Sequence, residues 1–332
     1  MNGTEARTGS ARNFFGKIFQ IIKSTPGTVF IVTILITLIV HFVTGNFYTT
    51  YNVSVFLRTA SFTIIVGLAQ TLVLLLGGID LSVASIAGFC SMVFAMLVTL
   101  AGFDPYLSLV LALLVGPVLG FLNGAMICGL NLTPFIATLA TSSIFRGIIY
   151  VVTKGFPLTG IPESVTVIGQ GSLIPLLPYP VLIMLFIAIV LAVVLRYTSF
   201  GRHIYAVGGN ESAAKIVGIR NNRTKLGVYM ITGFISGLAG VLMVLRLGSS
   251  QVNIGENWVM PSITAAVLGG TSMTGGSGSV AGTMVGGLLM ATISYSISLL
   301  GVSSYWDEVV TGAVVLIAIS LDAINRRRQA NA

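Results

Sequence analysis

Charge is what this sequence has least of. Of its 332 residues, 8% are Asp, Glu, Lys or Arg and 55% are hydrophobic, whereas an ordinary soluble domain carries roughly 25% charged residues. A mean hydropathy of +0.99 excludes a water-soluble globule. Cysteine is nearly missing too. Cys90 and Cys128 lie inside apolar runs without a CxxC or Cys/His partner, which argues against a disulfide framework or a zinc site and leaves two small buried hydrophobes. The two histidines, His41 and His203, have no metal-ligating neighbours. No HExxH, GxSxG or GxxxxGKS/T motif occurs, and the glycine-rich run Gly269–Ser279 lacks the lysine of a phosphate loop. That run reads instead as a tight inner turn with Ser279 as a helix cap. The chain is therefore expected to be no enzyme and to hold no cofactor or metal; any ATP that drives it, with its Mg, is bound by another chain. Glycine is abundant, at 39 residues, but has no triplet period, so a collagen-like chain is excluded as well.

What is present is apolar length. Ten blocks, at 27–44, 57–77, 82–100, 106–128, 134–152, 178–196, 226–247, 258–271, 280–300 and 307–325, are read as helices of the roughly 20-residue class that crosses a bilayer. The expected fold is all-α: a polytopic integral membrane protein of about ten transmembrane helices. Thirteen of the seventeen basic residues fall in three hydrophilic segments. Arg7, Arg12, Lys17 and Lys23 precede the first block, Arg196, Arg202, Lys215, Arg220, Arg223 and Lys225 lie between the sixth and seventh, and Arg326, Arg327 and Arg328 follow the last. Basic residues favour the cytoplasmic side, so both termini are expected inside. This gives a cytoplasmic tail over 1–26, a membrane domain over 27–325 and a cytoplasmic C-terminal tail over 326–332. The first block ends without a small-residue cleavage site and is read as a retained span, not a signal peptide. The basic residues are not clustered with aromatics on one surface, so no nucleic-acid partner is expected.

Several blocks are irregular. The eighth is short and begins with Trp258 and Pro261, so it either crosses part of the bilayer or tilts into the protein. Pro117 is expected to kink the fourth, and segment 153–177, with Pro157, Pro162 and Pro175, reads as a folded outer loop with a short helix. Glycines recur every fourth residue at Gly116, Gly120 and Gly124, at Gly233 and Gly237, and at Gly282 and Gly286. Such stripes allow close helix approach, within one subunit or between two.

Ionisable residues inside the blocks are few, unlike the case in ion-coupled carriers. Arg146, about 12 residues into the fifth block and so roughly 18 Å deep, is the exception. Asp80, in the turn Gly77–Ser82, either caps the third block or makes a contact at the inner mouth. Asn123 either lines a pathway or bonds a neighbouring helix. Asp80, Asn123 and Arg146 are thus the candidates for the translocation pathway. Asp104, Glu256, Asp307 and Glu308 stand at outer block ends, where Glu256 either faces an outside partner or pairs with Arg246, and Asp307 and Glu308 suit a helix start.

The longest inner loop, Arg196 to Lys225, is the most informative stretch. Asn210 is a good N-cap, Glu211 sits in the first turn where a negative charge suits the helix dipole, and Ala213, Ala214 and Lys215 favour helix. Gly218 can end the helix in the left-handed conformation. The expected product is a short capped helix with small side chains on one face, suited to docking into a groove on another protein.

Gly77–Val83, Arg196–Ile219, Leu268–Thr283 and Leu300–Trp306 together carry a resemblance that covers nearly the whole chain beyond residue 40. The chain resembles the membrane permeases of bacterial ribose/xylose/galactose-type ABC importers. The resemblance implies a multi-pass protein of the bacterial cytoplasmic (inner) membrane that pairs as a homodimer or with a related permease as a heterodimer. It implies an ABC ATP-binding subunit beneath, and a periplasmic or lipid-anchored sugar-binding protein that hands over a monosaccharide. On this reading Asn210, Glu211, Ala213, Ala214, Lys215 and Gly218 form the helix that couples to the ATPase, within a coupling loop over 197–225. Arg58, Lys154, Glu163, Glu256 and Asn257 are candidates to face the binding protein. A stand-alone secondary sugar carrier is the alternative.

Overall fold

Apolar runs broken by Gly, Pro and Asn leave the backbone one way to satisfy its hydrogen bonds without water, which is to coil into helices. The computed structural model describes residues 25–303 and 305–330. The expected tail with Arg7, Arg12, Lys17 and Lys23 lies outside the described residues, as do the side chains of Arg326, Arg327 and Arg328. The helices are α1 (Thr25–Thr44), α2 (Thr50–Leu75), α3 (Val83–Thr99), α4 (Pro105–Gly129), α5 (Pro134–Thr153), α6 (Glu163–Gln170), α7 (Tyr179–Tyr197), α8 (Ser199–Gly209), α9 (Glu211–Ile216), α10 (Asn221–Leu247), α11 (Val259–Leu268), α12 (Val280–Leu299) and α13 (Tyr305–Ala330). Four strands of two or three residues make two small antiparallel pairs, β1 (Leu158–Thr159) with β4 (Ser249–Ser250) and β2 (Ser172–Ile174) with β3 (Leu177–Pro178).

The chain is an all-α polytopic membrane protein. Among the described residues seven helices, α1, α2, α4, α5, α7, α10 and α12, are long and apolar enough to cross a membrane, and α3 and α11 are apolar but shorter. Sequence punctuation sets the boundaries. Asp104 Oδ1 accepts from the Tyr106 and Leu107 amides at 2.9 and 3.0 Å, ahead of Pro105 at the first position of α4. Ser279 Oγ accepts from the Gly282 amide at 3.1 Å and caps α12 as expected. α4 runs unbroken through Pro117, and the 153–177 segment holds the short helix α6.

α2 and α10 form the centre, with 78% and 72% of their apolar windows buried, against 22% for α1 and 28% for α5. α10 packs most extensively on α4. The glycine stripes explain why: a β-carbon at Gly116 would meet the Gly233 carbonyl, and one at Gly120 would meet the Tyr229 carbonyl. Gly282 and Gly286 play the same part against Gly269 and Ala265 at the α11–α12 contact. The stripes therefore serve packing inside one subunit.

Connections gather at two ends. At the basic end, Gly276 donates to the Leu75 carbonyl at 2.9 Å and Tyr205 Oη to the Gly278 carbonyl at 3.0 Å, tying the 76–82, 198–220 and 269–279 segments together. At the far end, Arg58 grips the end of α6 and Tyr106 Oη donates to the Ser164 carbonyl at 3.1 Å.

One connection departs from this plan. After α10 the chain does not turn over at the far end but descends along α3. Ser250 Oγ lies 3.3 Å from Ser91 Oγ, the Ile254 carbonyl abuts Gly88, and Gly255 packs on the Ala84 carbonyl. From Ser91 to Ala84 is roughly 10 Å along the helix axis. α11 then completes the passage with only ten residues, about 15 Å of helix. The short eighth block is thus a half-helix preceded by re-entrant, non-helical backbone.

Candidate functional site

The basic loop folds as its residues dictate. Asn210 takes an extended φ of −158° and its Oδ1 accepts from the Ala213 amide at 2.9 Å, opening α9. Six residues later the helix stops. Gly218 adopts φ +86°, and the Gly218 and Ile219 amides donate to the Lys215 and Ala214 carbonyls at 3.1 and 3.0 Å. Ala214 is buried against α8, whereas Ala213 and Lys215 are exposed.

Glu211, read from sequence as a contact for the ATPase, is occupied within the chain. Its Oε1 accepts from Lys225 Nζ at 2.6 Å, and its backbone carbonyl accepts from Asn221 Nδ2 at 2.8 Å. These bonds clamp α9 to the first turn of α10. Two residues that sequence reasoning passed over now dominate the tip: Ile216 is 86% exposed and Val217 is 76% exposed. The available signal was an apolar pair between a helix former and a terminating glycine, inside a hydrophilic loop. Behind the tip lies a cavity of about 390 Å³ lined by Phe200, His203, Arg220 and Arg223 among others. The arrangement has no catalytic chemistry; it is a small rigid knob fixed to the most buried helices.

Asp80 and Asn123, separated by 43 positions in sequence, meet near the basic end. Asn123 Nδ2 donates to Ser82 Oγ at 2.7 Å, and Ser82 donates in turn to Asp80 Oδ1 from both Oγ at 2.6 Å and its amide at 2.7 Å. The cap position of α3 is Ser82, not Asp80, so the carboxylate accepts one backbone N–H and not several. Asn123 is fully buried and bonds a neighbouring element. The Gln70 amide, with its nitrogen toward the Asp80 carbonyl and its oxygen toward the Asp80 amide, holds that backbone at 3.1 Å on both sides. Burial pushes the Asp80 carboxyl up to about 6, against the opposing pull of the Ser82 hydrogen bonds.

The far end sorts its candidates into three groups. Lys154, left-handed at φ +54°, and Glu163 are exposed at this end. Arg58 is only half-buried, and its donors are spent inside the chain on the Gly169 and Gln170 carbonyls at 2.7 and 2.6 Å and on Ser172 Oγ at 3.3 Å. A cation there suits the C-terminus of α6. Glu256 and Asn257 are exposed in the turn of the re-entrant segment, where Asn257 Nδ2 donates to Glu308 Oε1 at 3.2 Å. Arg246 does not pair with Glu256. It donates to Thr59 Oγ1 at 3.5 Å and lies over the Phe62 ring at 5.5 Å, while the Lys225–Glu211 contact is the one ion pair among the described residues. Arg146 Nη1 donates to the Val252 carbonyl at 3.3 Å.

Residues 52–319 match the family model described as branched-chain amino acid transport system / permease component. The chain is 40% identical to the ribose import permease protein of Bacillus subtilis (strain 168), over 97% of this chain and 98% of that one. It is 36% identical to the D-allose transport system permease protein of Escherichia coli (strain K12), over 92% and 94%. It is 32% identical to the fructose import permease protein of Rhizobium meliloti, over 92% and 88%. No solved structure gives a significant match. With most of its length inside the family model and relatives of this identity along nearly the whole chain, the protein belongs to the family of transport-system permease components.

Proposed function

We propose that the chain is the membrane permease subunit of an ATP-driven importer, providing the path by which a monosaccharide crosses the bacterial inner membrane. The observation that carries this reading is the capped helix α9, which offers Ile216 and Val217 to solvent at the end of the basic loop. An apolar pair held out on a rigid, clamped helix is what a partner's groove recognises. The relatives named as ribose, allose and fructose permeases support the sugar class.

In this reading ten helices cross the membrane, α11 and its re-entrant lead-in together making one crossing, and both termini are cytoplasmic. The partners are an ABC ATP-binding subunit that holds ATP and Mg, an extracytoplasmic sugar-binding protein that meets the face carrying Lys154 and Glu163, and a second permease copy or a related permease. Closure of the ATPase pair pushes on α9. The Glu211–Lys225 clamp and the bond from Asn221 to Glu211 pass that displacement to α10, whose glycine contacts with α4 leave no slack to absorb it.

The test is co-expression of the tagged chain with its candidate ATPase, then an ATPase assay in nanodiscs with sugar-loaded binding protein. A stoichiometric ATPase and hydrolysis raised by the loaded binding protein are expected. A chain that purifies alone and moves sugar down an ion gradient would instead be a secondary carrier.

A further inference from the structure

Three cavities meet at one side chain. Volumes of about 440, 310 and 210 Å³ are each lined by Asp307, and the larger two fall in the size range of small-molecule pockets. They lie where α2, α12 and α13 surround the turn from the re-entrant segment into α11. Thr63 reaches this space from roughly 20 Å along α2, and Thr59 from one turn nearer the far end, next to Arg58. Irregular backbone at such depth is tolerated where it is buried in protein or lines a water-filled cavity, and interrupted helices mark solute sites in many transporters.

The lining is specific in chemistry. Asp307 Oδ1 is shielded from solvent yet has no hydrogen-bond partner among the described residues, an arrangement that costs stability unless something donates to it. Asn257, Thr59, Thr63 and Ser294 add a carboxamide and three hydroxyls, and Trp258 adds an indole face. Among the described residues no lysine, arginine or histidine lines the three cavities, the largest of which also carries Glu256 and Glu308; Arg246 reaches them only through Thr59 Oγ1 at 3.5 Å, so the lining disfavours an anionic or phosphorylated solute. Among the described residues no three His, Cys, Asp or Glu are grouped to hold a metal ion.

We propose that this space is a transit site for the neutral, polyhydroxylated solute itself, with Asp307 accepting a sugar hydroxyl and Trp258 covering the apolar face of the ring. Acceptors, amide and hydroxyls satisfy alternating ring hydroxyls, and an aromatic face packs against sugar C–H groups. The inference rests on the importer reading above and adds a solute site within the permease.

The chain has two tryptophans: Trp258 lines one cavity, and Trp306, next to Asp307, is 56% exposed. The full chain carrying Trp306→Phe, in nanodiscs without ATPase or binding protein, is titrated with D-ribose, D-xylose, D-allose and D-fructose in turn while Trp258 emission is followed. Sucrose serves as the viscosity control. A saturable change with a monosaccharide is expected, with half-saturation weakened at least about tenfold in Asp307→Ala and more mildly in Ser294→Ala, which guards against a folding defect in the first variant. Flat emission across the panel, while one of these sugars still drives ATP hydrolysis by the assembled transporter, overturns the site and leaves the importer reading intact. A response to Ca²⁺ or Na⁺ in place of sugar also overturns it. If no sugar drives hydrolysis by the assembled transporter, the importer's sugar class fails, and the emission titration alone decides the site.

Discussion

The Arg146 guanidinium on α5 donates to the Val252 carbonyl at 3.3 Å, tying a helix interior to the descending backbone of the re-entrant segment. The contact is part-buried, and a buried carbonyl left unpaired costs at most about 1–3 kcal/mol. Arg146→Leu is therefore expected to lower the thermal stability of the reconstituted chain by that amount, and to raise protease cleavage within 248–258. Arg146→Lys keeps one donor within reach and loses less. Equal stability of all three chains would remove the anchoring role.

The tip of the basic loop yields a sharper expectation. Replacing both Ile216 and Val217 with Ser removes an exposed apolar pair and touches no packed core, so membrane insertion and thermal stability stay as they were. Co-purification of the ATPase is expected to fall by an order of magnitude or more. Asn210→Pro strikes the same element from within: it deletes the Asn210 amide bond to the Ala206 carbonyl and cannot adopt φ −158°. Gly218→Val is strained at φ +86°. In these two variants hydrolysis should persist while uptake falls. Normal sugar-stimulated uptake in both sinks the coupling assignment.

The α4–α10 contact is testable by size alone. Gly120 faces the Tyr229 carbonyl with no room for a β-carbon. Gly120→Leu must push apart two helices along their closest approach, beyond the roughly 1–3 kcal/mol typical of added core methylenes. The expected result is loss of monodisperse protein after extraction. Gly129→Ala, whose β-carbon meets nothing within 4 Å, is the matched control and should behave as the unaltered chain.

Much of this fold could be read from residue patterns because bilayer-length apolar runs have a single low-energy backbone solution. The caps at Asn210 and Ser279 were legible for a local reason: each is a short polar side chain just ahead of a helix. Long-range relationships were not. Nothing in the local pattern around Glu256 shows that the chain has already descended past Ser91, and no spacing rule joins Arg146 to Val252, 106 residues apart. Asp307 and Glu308 read as an ordinary helix start because the cavities around them are built from α2, α12 and the 256–261 turn, far away in sequence. The exposed pair Ile216–Val217 is hard to see in sequence because small residues and charge mark the rest of the same short helix.

Asp80 gives a prediction in pH. Its carboxyl is held at about 6 in the folded chain against 3.8 for an exposed aspartate, because burial disfavours the charged form more than the Ser82 bonds favour it. Between those values the folded chain binds more proton than the unfolded one, so stability from this group is greatest at low pH and declines as pH rises through the window. The full decline is about 3 kcal/mol by pH 7. Asp80→Asn keeps an oxygen for Ser82 and removes the charge. Its Tm is thus expected to exceed that of the unaltered chain at about pH 7.5 and to match it at about pH 4. Thermal unfolding of both chains in nanodiscs across this range measures the difference. A gap that is constant with pH, or that widens on acidification, means that the carboxylate is stabilised by a partner and not strained by burial.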